Sequence, residues 1–330
     1  MSIDTTVSRR AALATVCGAT LAPLALASGL AGVRPARAAA PMLGPARPTF
    51  HRFQLGGFEV TTLLDGTIQA DGPHPIFGYD QPEEAVRELA EANFLPPDRF
   101  VNGFTPVLVN TGSELVLFDS GNPPARRPDA GNLLAALTAA GHTPDQVDVV
   151  VITHMHGDHI GGLMADGQPT YPNARYVTGQ VEYDFWSHDD RLSGPTEAGA
   201  QLVRSNVVPL AERITFVGDD AEVVPGIRGM AAFGHTPGHM VYHIESDGRR
   251  LLLWADTANH YVASVQRPEW HVRFDMDKEE AAATRRRIFD LAAADRIPVT
   301  GYHMPFPALG YIDRTEGGYR WVPATYQLNL

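Results

Sequence analysis

Apolar positions along this chain switch between a period of two and a period near 3.6, and each switch marks an element. Phe50–Leu55 and Phe58–Leu64 alternate like half-buried strands, and Gly56-Gly57 between them predicts a hairpin. A loop rich in Pro, Gly and aromatics follows, then a short helix over 82–92 with acids in its first turn. Strands over 105–110 and 115–119 pair across Thr111-Gly112-Ser113-Glu114, and a helix over 132–140 stops at Gly141. Val147 to Ile152 is nearly all apolar and β-branched, the pattern of a strand buried on both faces. The second half repeats the alternation. It has strands over 175–178, 214–217, 227–233, 239–245, 250–255 and 297–300, and helices over 180–186, 196–210 and 278–294. Hairpins mixed with helices in two similar halves predict an αββα sandwich, two mixed β-sheets packed together and flanked by helices.

The first forty residues do not fit that scheme. Ser8-Arg9-Arg10 opens an Ala- and Leu-rich stretch that ends in Arg34, Arg37 and the small-residue sequence Ala38-Ala39-Ala40. This pattern predicts an export signal over 1–38 of the twin-arginine type, although Ala12 stands where that type usually carries Phe. The expected locale is periplasmic or secreted, reached through the export machinery. A single domain is then expected over 39–330, with an N-terminal extension at about 39–103.

Charge and cysteine content narrow the chemistry. The formal charge of −12 becomes −15 once 1–38, with four arginines and one aspartate, is removed. So acidic a protein is poorly suited to gripping a phosphate backbone, so no nucleic-acid partner is expected. The one cysteine, Cys17, lies in the leader, leaving imidazole and carboxylate as the metal-binding groups.

Those groups are concentrated. His154-Met155-His156-Gly157-Asp158-His159 follows the apolar 147–152 strand directly. Three imidazoles and a carboxylate so closely spaced cannot share one helix or strand face, and they fit a loop that turns them toward a metal. Three further strands end on candidate ligands: His235 in Gly234-His235-Thr236-Pro237-Gly238-His239, Asp256 after Leu251-Leu252-Leu253-Trp254-Ala255, and His303 after Val299-Thr300-Gly301-Tyr302. An acid between two cations can bridge them.

The series H-x-H-x-D-H, then one His, one Asp and one His, resembles the metallo-β-lactamase superfamily of metal hydrolases. The resemblance runs from about Phe50 to His303. The leader, the length and Gly301-Tyr302-His303-Met304-Pro305-Phe306-Pro307 are most similar to its methyl parathion hydrolase-like group. It implies a metallo-β-lactamase fold in which His154, His156 and His235 hold one divalent ion, Asp158, His159 and His303 a second, and Asp256 bridges them. Asp119 in Asp119-Ser120-Gly121 is implied as a support for the ligand loop. Zinc suits these N and O ligands best, with manganese, cobalt and iron as alternatives. Quorum-lactone hydrolases of the superfamily carry Tyr three residues after the bridging Asp. Here Asn259 occupies that place, so a Tyr-assisted mechanism is not expected.

The function so implied is that of an exported binuclear metal-dependent hydrolase of aryl esters or lactones. A metal-bridging hydroxide is its nucleophile, Asp158 and Asp256 are its catalytic carboxylates, and its activity extends to organophosphate triesters. The alternatives are an organophosphate hydrolase of the methyl parathion type, a glyoxalase II-like thioesterase, and a non-catalytic periplasmic metal-binding protein. The expected partner is a small neutral ester, lactone or phosphotriester, and the group's habit predicts a homodimer. Phe77, Tyr79, Phe104, Trp186, His260 and Phe306 are the candidate pocket residues, with His260 as either wall or proton shuttle. His239 is expected to hydrogen-bond within its loop.

Overall fold

β1 (Phe50–Leu55) and β2 (Phe58–Leu63) form the expected antiparallel hairpin, and Gly56 takes the left-handed conformation of its turn (φ 57°). The computed structural model describes residues 41–44, 46–324 and 327–330, so the expected leader and Cys17 lie outside the described residues. Residues Arg47–Leu330 form one compact unit. Next come β3 (Gly66–Asp71), α1 (Glu83–Ala92), β4 (Arg99–Phe104), β5 (Val107–Asn110) and β6 (Leu115–Phe118). They lead into α2 (Leu133–Ala139), β7 (Val149–Ile152), α3 (Gly157–Ile160), the two-residue strands β8 (Met164–Ala165) and β9 (Gln168–Pro169), and β10 (Arg175–Gly179). After α4 (Gln180–Ser187) and α5 (Glu197–Asn206), β11 (Ile214–Val217) closes a seven-stranded sheet of order β1-β2-β5-β6-β7-β10-β11. Its β1–β6 side is antiparallel and its β6–β11 side parallel. Parallel neighbours need crossovers, and α2, α4 and α5 lie in them.

The second sheet also has seven strands: β12 (Glu222–Val224), β13 (Ile227–Ala231), β14 (Met240–Ser246), β15 (Arg249–Leu253), β16 (Val299–Thr300), β17 (Leu309–Thr315) and β18 (Gly318–Pro323), in that order. Only β15 and β16 pair in parallel, and the connection between them holds α6 (Ala263–Gln266) and α7 (Lys278–Asp295).

Side-chain alternation turns these sheets into layers. On β7, Val149 and Val151 face the second sheet, in a core with Phe118, Tyr242, Leu251 and Leu253. Val150 and Ile152 face the other way, onto Leu133 and Leu137 of α2 and Val203 of α5. On the second sheet Leu252 turns outward to Ile288 and Phe289 of α7. β7 and the Leu251–Leu253 end of β15 are therefore buried on two faces, the physical reason those stretches are unbroken apolar runs. The sandwich is the αββα fold expected.

The differences are local. The helix expected over 196–210 ends at Asn206 and continues as tight turns over Val208–Arg213, because Pro209 has no N–H to extend an α-helix. The strand expected from Ile297 shortens to Val299–Thr300, since Pro298 lacks the donor to join the ladder. Three strand pairs had no counterpart in the sequence reading: β3–β4, whose Gly-Thr-Ile-Gln-Ala-Asp is too polar to alternate cleanly and which is joined through α1, and the hairpins β8–β9 and β17–β18. Of the stretch expected as an extension, β1 and β2 belong to the first sheet.

Phe118 spans the two sheets against Tyr242, with ring centroids 5.2 Å apart. Phe118→Ala should cost about 3–5 kcal/mol by loss of buried surface and the cavity left behind, read as a lower urea midpoint at unchanged slope.

Candidate metal centre

β13, β15 and β16 run in the same direction, so their carboxyl ends share one edge of the second sheet. His235, Asp256 and His303 follow those ends. The first sheet supplies the other four candidates beyond β7, and Met240 N–H donates to the Thr153 carbonyl at 3.1 Å, joining the sheets beside them. Asp119, in the left-handed conformation (φ 63°), holds the first loop. Its carboxylate accepts from Thr153 N–H at 2.8 Å and Thr153 Oγ1 at 2.9 Å, and pairs with His159 Nδ1 at 2.8 Å. The second loop is held by close approach. A Cβ on Gly234 would lie 2.2 Å from the Ala281 nitrogen, and one on Gly238 2.1 Å from the Glu182 nitrogen. Only glycine lets this backbone press against α7 and α4 together.

All seven predicted ligands converge, in two groups. His154, His156, His235 and Asp256 form one and Asp158, His159 and His303 the other, with ligand atoms within 4.8 Å of one another in each. In the first, His156 Nδ1 lies 3.1 Å from His154 Nε2 and 3.0 Å from His235 Nε2. Asp256 Oδ2 lies 3.3 Å from His235 Nε2 and 3.1 Å from His303 Nε2, while Oδ1 is 3.3 Å from His159 Nε2. Asp256 therefore touches both groups. Asp158 Oδ2 is 3.5 Å from His303 Nε2.

Three imidazole nitrogens facing one another at this range, with His159 Nε2 and Asp256 Oδ1 buried and without hydrogen-bond partners, is a costly arrangement for protein atoms alone. Shared cations resolve it, and the donor set of nitrogen and oxygen fits zinc, manganese, cobalt or iron. Protonation follows the same division. Burial, reinforced by neighbouring imidazoles, holds His154 well below its ordinary pKa and His156 at about 3, leaving lone pairs free. Burial acts the same way on His235, but hydrogen bonds to Asp256 and Asp275 outweigh it and raise the ring to about 9. His159 and His303 are raised as well, because adjacent aspartates outweigh burial.

Outer contacts fix how the rings point. His235 Nδ1 meets Asp275 Oδ1 at 2.8 Å, and the fully buried Arg285 donates to Asp275 Oδ2 at 2.8 Å. His303 Nδ1 donates to the Gly103 carbonyl of β4 at 2.8 Å. His239 Nδ1 donates to the Ala232 carbonyl while Nε2 accepts from Asp256 N–H, so its bonds tie the end of β13 to Asp256 rather than staying within its own loop as expected. Glu182 links the two ligand loops: Oε1 accepts from Met155 N–H and Trp186 Nε1, and Oε2 from Thr236 Oγ1 and Gly238 N–H. Sequence reasoning missed Glu182, Asp275 and Arg285. Arg285 left a trace, a charge among the inward positions Ala281, Ala282, Ile288 and Phe289 of α7.

A cavity of about 710 Å³ opens beside His303 and Asn259, walled by α1, β4, residues 259–263 and residues 303–307. Its charged residues, Arg47 and Arg99, are exposed at the rim, and the rest of the lining is mostly apolar. Of the predicted pocket residues, His260 and Phe306 line it. Phe104 instead packs on His303 at 5.5 Å between centroids, and Phe77 lies behind His260. Tyr79 is 54% exposed with Lys278 over its ring, and Trp186 is buried against His156, where its N–H serves Glu182. Those two are corrections: the first faces solvent and the second belongs to the core.

Residues 105–300 match the family model described as the metallo-beta-lactamase superfamily. An N-acyl homoserine lactonase of Bacillus sp is 25% identical over 201 residues, covering 58% of this chain and 73% of that protein. The human metallo-beta-lactamase domain-containing protein 1 is 27% identical over 286 residues, covering 85% and 91%. Among solved structures, the hydrolase AbOPH of the beta lactamase superfamily is 28% identical with a TM-score of 0.78, over 86% of this chain and all of that one. AidC, a dizinc quorum-quenching lactonase, shares the fold with a TM-score of 0.77 at 24% identity, over 84% and 98%. None of these bears the name of a methyl parathion hydrolase.

Glu182→Ala should strand four donors and free both loops, weakening zinc binding roughly 10- to 100-fold in a chelator competition. Because His235 carries a proton near neutrality in the metal-free protein, zinc uptake at pH 7 should release protons, and affinity should fall as pH falls, both measurable in weak buffer with a pH indicator.

Proposed function

Since the chain belongs to the metallo-beta-lactamase superfamily, we propose that it is a binuclear metal hydrolase whose substrates are neutral lactones and aryl esters. The observation that carries this reading is the meeting of the two ligand groups at Asp256 beside a largely apolar cavity whose charged residues, Arg47 and Arg99, stand exposed at its rim. His154, His156 and His235 would hold one divalent ion and Asp158, His159 and His303 the other, with Asp256 shared. When bound, the pair supplies an activated water and a Lewis acid for the scissile carbonyl.

The chain's own residues do the rest. Asp158 is the more accessible acid, its side chain 20% exposed, and it is placed to orient the attacking water and take its proton. Asn259 Nδ2 donates to Asp256 Oδ2 at 2.9 Å and fixes that carboxylate. An amide gives up no proton to a departing group, so leaving groups that carry their own charge well are favoured: phenolates and the alkoxides of activated lactones. Phosphotriesters with a phenolate leaving group meet the same condition and belong to the same substrate panel. The lactonase relatives support the lactone arm. Action outside the cytoplasm is part of the proposal and rests on the leader sequence.

Metal analysis should find two ions per chain. N-hexanoyl-homoserine lactone, dihydrocoumarin and p-nitrophenyl acetate should be hydrolysed, with methyl paraoxon and S-lactoylglutathione as the competing arms. Two bound metals with turnover of none of these would refute the assignment. Asp256→Ala should lower kcat/KM roughly 100-fold or more and cost the protein one metal; retention of both would remove Asp256 from its shared role.

A further inference from the structure

His260 is fixed in a way that settles its chemistry. Its Nδ1 accepts from the backbone N–H groups of Val262 at 3.1 Å and Ala263 at 3.0 Å. A ring nitrogen that accepts two such bonds carries no proton, so the neutral ring keeps its single proton on Nε2. Burial agrees, lowering the pKa to about 4. That excludes the proton shuttle considered from the sequence, because uptake of a proton at Nδ1 would break both backbone bonds. The ring is 8% exposed and held by Phe77 at 4.9 Å, Phe100 at 6.1 Å and a stacked Tyr261 at 5.2 Å. It lines the 710 Å³ cavity. Among the described residues Nε2 has no hydrogen-bond partner, yet it is not among the atoms sealed from solvent. A rigid neutral donor thus faces the cavity from a wall built of aromatic rings.

We propose that His260 is a specificity-determining residue whose Nε2–H donates to a second carbonyl of the substrate, an amide or ester oxygen remote from the scissile bond. This rests on the lactone and ester reading and deepens it, because it selects neutral substrates that carry an acyl substituent over those that do not. The scissile carbonyl is not the acceptor. His260 makes no ring contact with the five ligand imidazoles, whose aromatic neighbours outside that set are Phe104, Trp186, His239 and Tyr302. An anion is disfavoured, since a neutral ring brings no charge to pair with it. An apolar group laid against Nε2–H would strip its water and return nothing.

His260→Asn separates the two nitrogens, because the Asn Oδ1 takes the place of Nδ1 toward the backbone donors while nothing replaces Nε2–H. In the zinc-loaded enzyme, the preference for N-hexanoyl-homoserine lactone over γ-hexanolactone, as a ratio of kcat/KM values, should fall about tenfold in this variant, mainly through KM. An unchanged ratio overturns the proposal. A measurement independent of turnover is the long-range ¹H–¹⁵N spectrum of the zinc-loaded protein, with His260 assigned by its loss in the variant. It should show the Nε2–H tautomer, and Nε2 should shift on adding the ring-opened N-hexanoyl-homoserine. The Nδ1–H tautomer, or an Nε2 signal that the ligand leaves unmoved, overturns it. Should the wild-type enzyme hydrolyse no lactone or ester, the functional reading falls, and this spectrum still decides the role of His260.

Discussion

Buried charge is the constraint around which this molecule is organised. Five imidazoles and two carboxylates meet at a seam between two sheets, where most of them are shielded from water. Each ring must point one nitrogen inward, and the other needs its own partner. Asp119 takes the outer nitrogen of His159, Asp275 that of His235, and the Gly103 carbonyl that of His303. The two aspartates are themselves buried and paired. Asp275 leans on Arg285, whose other donors end on the carbonyls of Thr257, Pro268 and Trp270. The hydrogen-bond network grows outward until every charge has an answer, and it shapes the loops as it goes.

Glu182 shows the same logic at a longer reach. Burial raises its pKa, yet four donors from α4 and the two ligand loops converge on it. It joins a loop of the first sheet to a loop of the second, so the geometry of His154 and His156 relative to His235 is set by a residue that touches none of them. Gly238 matters for the same reason, since its bare backbone is what lets the second loop reach α4.

What the sequence revealed and what it hid have a common physical cause. Ligands announce themselves because several types of metal-binding residue fall in one short loop or directly after an apolar strand, as at 154–159, Asp256 and His303. Supports such as Glu182 and Asp275 are single acids whose partners lie far away in the chain, and nothing local distinguishes them from surface acids. The sheet cores were legible because β7 and β15 are buried on both faces. The β3–β4 pair was not, because it forms a separate two-stranded sheet of mixed polarity. The pocket was the least legible part: of the candidate aromatics, Phe77, Phe104 and Trp186 fall in three separate core clusters and Tyr79 at the surface, and only tertiary packing sorts Phe306 in the wall from Trp186 in the core.

The bond from His303 to the Gly103 carbonyl ties the candidate metal centre to the cavity wall. Gly103 belongs to β4, the strand that also forms a wall of the cavity. Any change that shifts this strand to admit a different substrate also moves the acceptor that aims a candidate metal ligand. On the proposed reading, substrate range and metal retention are therefore not separate traits. A lineage that remodels the wall must preserve the carbonyl's position, or repair the ring's orientation by a second change elsewhere, so the order in which such changes arise is constrained.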